Sequence, residues 1–150
     1  MCLDTFSYLL GKKSGGGGED LSEYFVNGDY SINASGCIKK LPFDVDFTGV
    51  TIASNFFYGW ANLETITIRN GTSLTNVYGM FKECQSLKFI DVRDIVFSAI
   101  TTGANRNGML SQVPNDCLII VKDDTEKQWF ATYYQSWTNV KTVAEYEAQQ

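Results

Sequence analysis

Two closely spaced carboxylate pairs, Asp44 with Asp46 and Asp91 with Asp94, come nearest in this sequence to catalytic chemistry. Two carboxylates flanking one bond can hydrolyse a glycoside, one as acid and the other as base or nucleophile. The chain has no histidine. That removes every Ser-His, Cys-His and His-metal arrangement and leaves catalysis to carboxylate, Lys or Tyr. Asp94 has the setting of a turn residue, and 150 residues show no second lobe to form a cleft. An enzyme, a cell-wall glycosidase in particular, is therefore the weaker expectation. The cysteines Cys2, Cys37, Cys84 and Cys117 form no C-x-x-C pair; neither zinc nor any other cofactor is expected, and free, buried thiols are. A net charge of −5 without a basic run disfavours nucleic acid. No stretch reaches the ~20 apolar residues of a membrane span, and the first 13 residues lack the pattern of a secretory signal.

A repeated pattern positions these groups. Phe57, Trp60, Leu63, Ile66 and Ile68 are answered 24 positions later by Phe81, Cys84, Leu87, Ile90 and Val92, and such a period marks stacked copies of one unit. Ala53, Phe57 and Trp60, like Val77, Phe81 and Cys84, are spaced i, i+4, i+7, which predicts one side of a short helix. The L-x-x-I-x-V run that follows predicts a strand, because side chains alternate across it. Ile38, Leu41 and Phe43 extend the pattern backwards and predict a first strand over Cys37 to Asp44, with Pro42 suited to an edge. Cys117 to Val121 supplies a later strand, and the polar residues Thr101 to Gly108 read as an inserted loop.

Residues between and after the buried strand positions face outward. They are Thr65, Thr67 and Arg69 on one copy and Phe89, Asp91 and Arg93 on the next. These six form the candidate ligand-binding face, with Phe89 among charges as the expected contact for a carbohydrate or protein. An ordinary solvated sheet face accounts for them equally well.

The ends differ from the middle. Leu3, Phe6, Leu9 and Leu10 are spaced as the apolar side of a two-turn helix that needs a partner surface. The run Gly15 to Gly18 behaves as a flexible tether, and turn signals at Asn27-Gly28 and Ser35-Gly36 bracket a possible strand at Tyr30 to Asn33. At the other end Asp123 with Glu126 has the form of a capping box, although Asp124 or Thr125 could equally cap. Trp129, Phe130, Tyr133 and Tyr134 then form an aromatic face over Glu126 to Gln135. It reads as a cover for the open end of the core, with a sugar platform as the alternative. A strand at Val140 to Val143 and a charged tail, Ala144 to Gln150, complete the chain. The expected segments are an anchor and tether over 1–25, a repeat domain over 26–122 and a cap with tail over 123–150.

The run Leu74-Thr75-Asn76-Val77-Tyr78-Gly79-Met80-Phe81-Lys82-Glu83-Cys84-Gln85-Ser86-Leu87-Lys88-Phe89-Ile90-Asp91 resembles the BspA-type leucine-rich repeats, a pattern that includes Asp91. The opening (Leu9-Leu10-Gly11-Lys12-Lys13, Gly15 to Gly18, Asp20 to Phe25) and the closing run from Val113 to Val143 are similar to repeat proteins encoded by phages and prophages of Gram-positive gut bacteria. The resemblance implies an α+β fold: a short leucine-rich-repeat-like solenoid with one short helix and one short strand per rung, an N-terminal helical anchor and a helix-strand cap. It implies a virion protein, assembled in the host cytoplasm and held by its N-terminus against other virion proteins. Such a protein is expected as a homo-oligomer in the particle, displaying a face for host carbohydrate or protein. A virion cement or connector and a bacterial surface adhesin are the alternatives.

Overall fold

The computed structural model describes residues 34–150, with side chains from residue 36 onward. The expected anchor residues Leu3, Phe6, Leu9 and Leu10, the glycine tether and the strand at Tyr30 to Asn33 lie outside the described residues. A short helix α1 (Ala34–Cys37) leads into five strands: β1 (Val45–Asp46), β2 (Thr65–Arg69), β3 (Phe89–Asp91), β4 (Leu118–Val121) and β5 (Val140–Thr142). All neighbours run parallel and in chain order. A 3-10 turn at Phe97–Ala99 and helix α2 (Gly103–Arg106) lie between β3 and β4. Helix α3 (Asp124–Tyr133) joins β4 to β5, and helix α4 (Val143–Glu147) follows β5 directly.

This corrects the expected leucine-rich-repeat-like solenoid of one helix and one strand per rung. The described residues form a five-stranded all-parallel sheet with a few short helices, an α+β arrangement. No helix joins β1 to β2 or β2 to β3. Where helices were expected, around Ala53 to Trp60 and Val77 to Cys84, the chain forms consecutive turns. The reason lies in the backbone. Asn55, Gly59, Gly79 and Glu83 all have positive φ, between 55° and 77°, a left-handed conformation that ends a right-handed helix. Their amides bond sideways instead: Asn55 N–H donates to Tyr78 O (2.8 Å) and Gly59 N–H to Lys82 O (2.9 Å). Gly79 N–H and Glu83 N–H donate onward to Asn107 O (3.1 Å) and Ser111 O (2.8 Å). Intervening amides close three-residue turns, as in Met80 N–H to Val77 O (3.0 Å). Backbone donors are thus satisfied along a turn ladder rather than along a helix.

The first strand is also displaced. Cys37 to Asp44 was expected to be extended throughout, yet β1 is Val45–Asp46, preceded by a single bridge from Lys40 to Thr65. Further on, Thr65 pairs with Phe89 and Ile66 with Ile90, a register equal to the 24-residue spacing.

The core fills the space between sheet and turn ladder. Ile66, Ile68, Ile90, Ile119 and Val140 face it from the strands, and Phe57, Met80, Phe81 and Cys84 from the turns. Phe57 stacks on Phe81 at 5.6 Å and 9° and on Phe47 at 6.5 Å and 15°. Each ring withdrawn from water contributes about 1.5–3 kcal/mol. Helix α3 closes the β5 end of the core. Asp123 caps it, its side chain accepting from Glu126 N–H at 3.2 Å. Glu126 does not complete a capping box; its buried carboxylate accepts from Ser98 N–H and Oγ, both at 2.8 Å. Trp129 and Phe130 pack on Phe97 at 4.9 Å each. Trp129 Nε1 donates to Ile100 O at 2.9 Å, and Tyr134 hydroxyl donates to Arg106 O. Three of the four aromatic residues of this helical segment are buried, so they serve as core; Tyr133 stays partly exposed with the Arg106 guanidinium 3.9 Å from its ring centre.

Candidate functional site

Alternation along β2 turns Ile66 and Ile68 inward and leaves Thr65, Thr67 and Arg69 on the outer face. The register extends these positions into rows. Thr65, Phe89 and Leu118 are neighbours across three strands, and Thr67, Asp91, Ile120 and Lys141 across four. The sheet thus brings Thr65, Thr67, Arg69, Phe89 and Asp91 to one face, with Arg93 just past β3. The face then divides into a closed half and an open half.

The β3–β4 half is covered by α4, in the segment expected as a charged tail. Tyr146 lies on Phe89, ring centres 5.9 Å apart, and Arg93 Nη1 is 3.6 Å from Glu147 Oε1. Ile120 is fully buried yet outside the main apolar cluster; it is the outward neighbour of Asp91 and is sealed from the α4 side. Helix α4 begins with a capping box in which Thr142 Oγ1 accepts from Glu145 N–H (3.1 Å) and Glu145 Oε2 accepts from Thr142 N–H (2.8 Å). The sequence Thr142-Val143-Ala144-Glu145 carries the signature of that box, a signal that the reading of these residues as a charged tail passed over. Lys127 of α3 bonds the same carboxylate at 2.8 and 2.9 Å. The Lys127 ammonium, with the Thr142 amide, holds the Glu145 carboxyl below its ordinary value.

A charged ladder ties the two halves. Asp91, only 3% exposed, accepts from Arg93 N–H (3.2 Å), Nε (3.1 Å) and Nη2 (2.8 Å). That bonding, ahead of the other nearby carboxylates, raises the Arg93 guanidinium above its ordinary value. Arg69 Nη1 lies 3.4 Å from Asp91 Oδ1, an electrostatic contact without hydrogen-bond geometry, and Arg69 Nε lies 3.5 Å from Asp44 Oδ2. The remaining acids of the two pairs are also engaged. Asp46 Oδ1 accepts from Thr48 N–H (2.9 Å), Thr48 Oγ1 (2.6 Å) and Asn70 Nδ2 (3.2 Å), and Asp94 Oδ2 from Asn70 N–H (2.9 Å). Each of the four carboxylates therefore has a structural role, which the pairwise spacing alone did not reveal.

Among the described residues, no helix covers the β1–β2 half. Lys40 pairs with Thr65 and Val45 with Ile68, so four residues, Leu41 to Asp44, span the interval that Ile66 and Thr67 span on β2. The longer segment arches off the sheet as a bulge, a feature that accommodates Pro42 and re-aims side chains. Beneath the arch is a groove of about 250 Å3 lined by Lys40, Leu41, Pro42, Phe43, Asp44 and the outer side of Thr65 to Thr67. Phe43 is half-buried against the core. The Thr65 and Thr67 hydroxyls make no hydrogen bond among the described residues. The groove can receive a small group by hydroxyl bonding on its floor and apolar contact on its wall.

The thiols of Cys84 and Cys117 are free and buried, and Cys37 is buried as well; burial pushes Cys84 and Cys117 up to about 12, leaving them inert. Among the described residues no cluster of three or more His, Cys, Asp or Glu side chains is placed to hold a metal ion, and no helix is long and apolar enough to cross a membrane. No family model, curated protein or solved structure matches the chain.

Proposed function

We propose that the chain is a non-enzymatic virion protein of a phage, attached through Leu3, Phe6, Leu9 and Leu10 to other virion proteins. Its sheet domain is displayed so that the outer face of β2 meets a carbohydrate or protein of the host surface. The observation that carries this reading is the open groove on that face. Parallel sheets are ordinarily covered on both sides; here α4 covers β3 and β4, while the Thr65 and Thr67 hydroxyls have no partner among the described residues beside the groove. The setting on a virion is supported by the resemblance of both chain ends to phage- and prophage-encoded proteins. Many copies per particle, as a homo-oligomer, make a weak contact effective through multivalency.

The function is tested by adhesion of the tagged full chain to cells of the strain that propagates the phage. Introducing Thr65→Glu with Thr67→Glu should weaken adhesion at least tenfold, about 1.4 kcal/mol. Replacing Phe89 and Arg93 with alanine should weaken it far less, because those side chains are already engaged by Tyr146 and Asp91. Adhesion indifferent to the threonine substitutions removes this face as the contact.

A further inference from the structure

The geometry points to a ligand class for the open half: the bulged groove is a subsite for one neutral pyranose ring of a host-surface glycan. This inference rests on the proposed binding function and narrows it. Three features lead to it. The first is size. At about 250 Å3 the groove lies just below the usual range for small-molecule sites, ~300–1,000 Å3, which suits one sugar ring and not a folded peptide.

The second is the arrangement of donors and acceptors. Thr65 and Thr67 stand two apart on one strand and present their side chains to the same side. Each hydroxyl both donates and accepts, and neither is used among the described residues. A pyranose presents adjacent hydroxyls of the same dual character along one edge. Its C–H face needs an apolar contact, and the part of Phe43 left outside the core supplies one beside Pro42, whereas Leu41 is itself buried in the core.

The third is charge. Asp44 is already paired with Arg69 at 3.5 Å, and Arg69 is also drawn to the buried Asp91 at 3.4 Å. A phosphate or uronate arriving at Arg69 would compete with two carboxylates already there. Asp44, with 57% of its side chain exposed, can still accept from a neutral hydroxyl while paired. The groove itself is lined by one cation, Lys40, and one anion, Asp44, so its lining carries no net charge and favours an uncharged ligand over an anionic one.

The test is saturation-transfer NMR on the full-length protein with separate methyl glycosides of glucose, galactose, N-acetylglucosamine and rhamnose, and with methyl glucuronide as the anionic control. At least one neutral glycoside should receive saturation. The signal should fall at least fivefold in Thr65→Val with Thr67→Val, which keeps side-chain shape, and in Phe43→Ala. The melting temperature of each variant, read alongside, separates lost binding from lost fold. No transfer to any neutral glycoside, stronger transfer to the glucuronide, or transfer unchanged in the threonine variant overturns the inference. Wild-type adhesion to cells separates the two levels: cells bound in a protease-sensitive manner without any sugar signal refute the pyranose subsite while leaving the binding function standing. Cells left unbound refute both.

Discussion

Replacing Gly79 with alanine tests the turn ladder, because ladder and helix predict opposite signs. In a helix interior, glycine to alanine gains about 1 kcal/mol. In the turn ladder Gly79 has φ 59°, and a Cβ there would fall on Asn55 Oδ1, far inside van der Waals contact, with Lys82 Cβ also within 3.9 Å. Left-handed alanine costs about 1–2 kcal/mol, and crowding in a packed site adds about 1–3 kcal/mol. The Asn55 side chain can turn partly away, so the expected loss is about 2–4 kcal/mol. Gly59 provides the internal control. Its φ is 77°, but nothing lies within 4 Å of the added Cβ, so Gly59→Ala should lose only the backbone part, about 1–2 kcal/mol. Urea unfolding of the two variants and wild type, with the slope held common, measures both. A gain in stability for either variant, or equal losses for both, refutes the reasoning.

Asp91→Asn leaves Arg93 and Arg69 without their shared carboxylate; as both arginines are partly exposed, the loss should be about 2–3 kcal/mol, below the 3–5 kcal/mol of a fully buried pair, and thermal unfolding reads it. Acidification should loosen α4: the Glu145 pKa is lowered on folding, so its contribution is present above the ordinary carboxylate value and is lost as pH falls through the lowered one. The Tyr146 ring resonances report this, and Glu145→Gln should weaken the pH dependence, leaving the part that comes from the Glu147–Arg93 pair. Tyr146→Ala should uncover Phe89 and Ile120, detected as increased binding of an apolar dye with little change in unfolding midpoint. Cys37, Cys84 and Cys117 should resist a thiol reagent in the native protein and react once it is unfolded, since they are buried and two titrate at about 12.

Sheet pairing was legible where one residue choice has one meaning. Ile66-x-Ile68 and Ile90-x-Val92, spaced by 24, set inward and outward faces together, and β2 and β3 pair at that register. The turns misled for a specific reason. Ala53, Phe57 and Trp60 recur at helical spacing, but with left-handed residues at Asn55 and Gly59 the chain returns an apolar side chain to the core at the same intervals without helical bonds. Glycine at 59 and 79 was the available signal; Glu83 in the left-handed region carried none. The groove was hidden because Leu41 and Phe43 continue the apolar pattern of a strand, and only the pairing of Lys40 and Val45 shows the arch between them. Of the six candidate face residues, type and alternation located the face. Which half is open depends on α4, whose capping box lies some 50 residues or more from the β3 residues it covers.

Cryo-electron microscopy of particles of the phage proposed to carry this chain tests the central claim most directly, by locating the chain and the direction its sheet faces. The account predicts the first 25 residues embedded in another virion component and the groove between Leu41 and Thr67 directed outward, free of virion neighbours. A groove buried against other virion proteins would make the chain a cement or connector and contradict the display of a binding face.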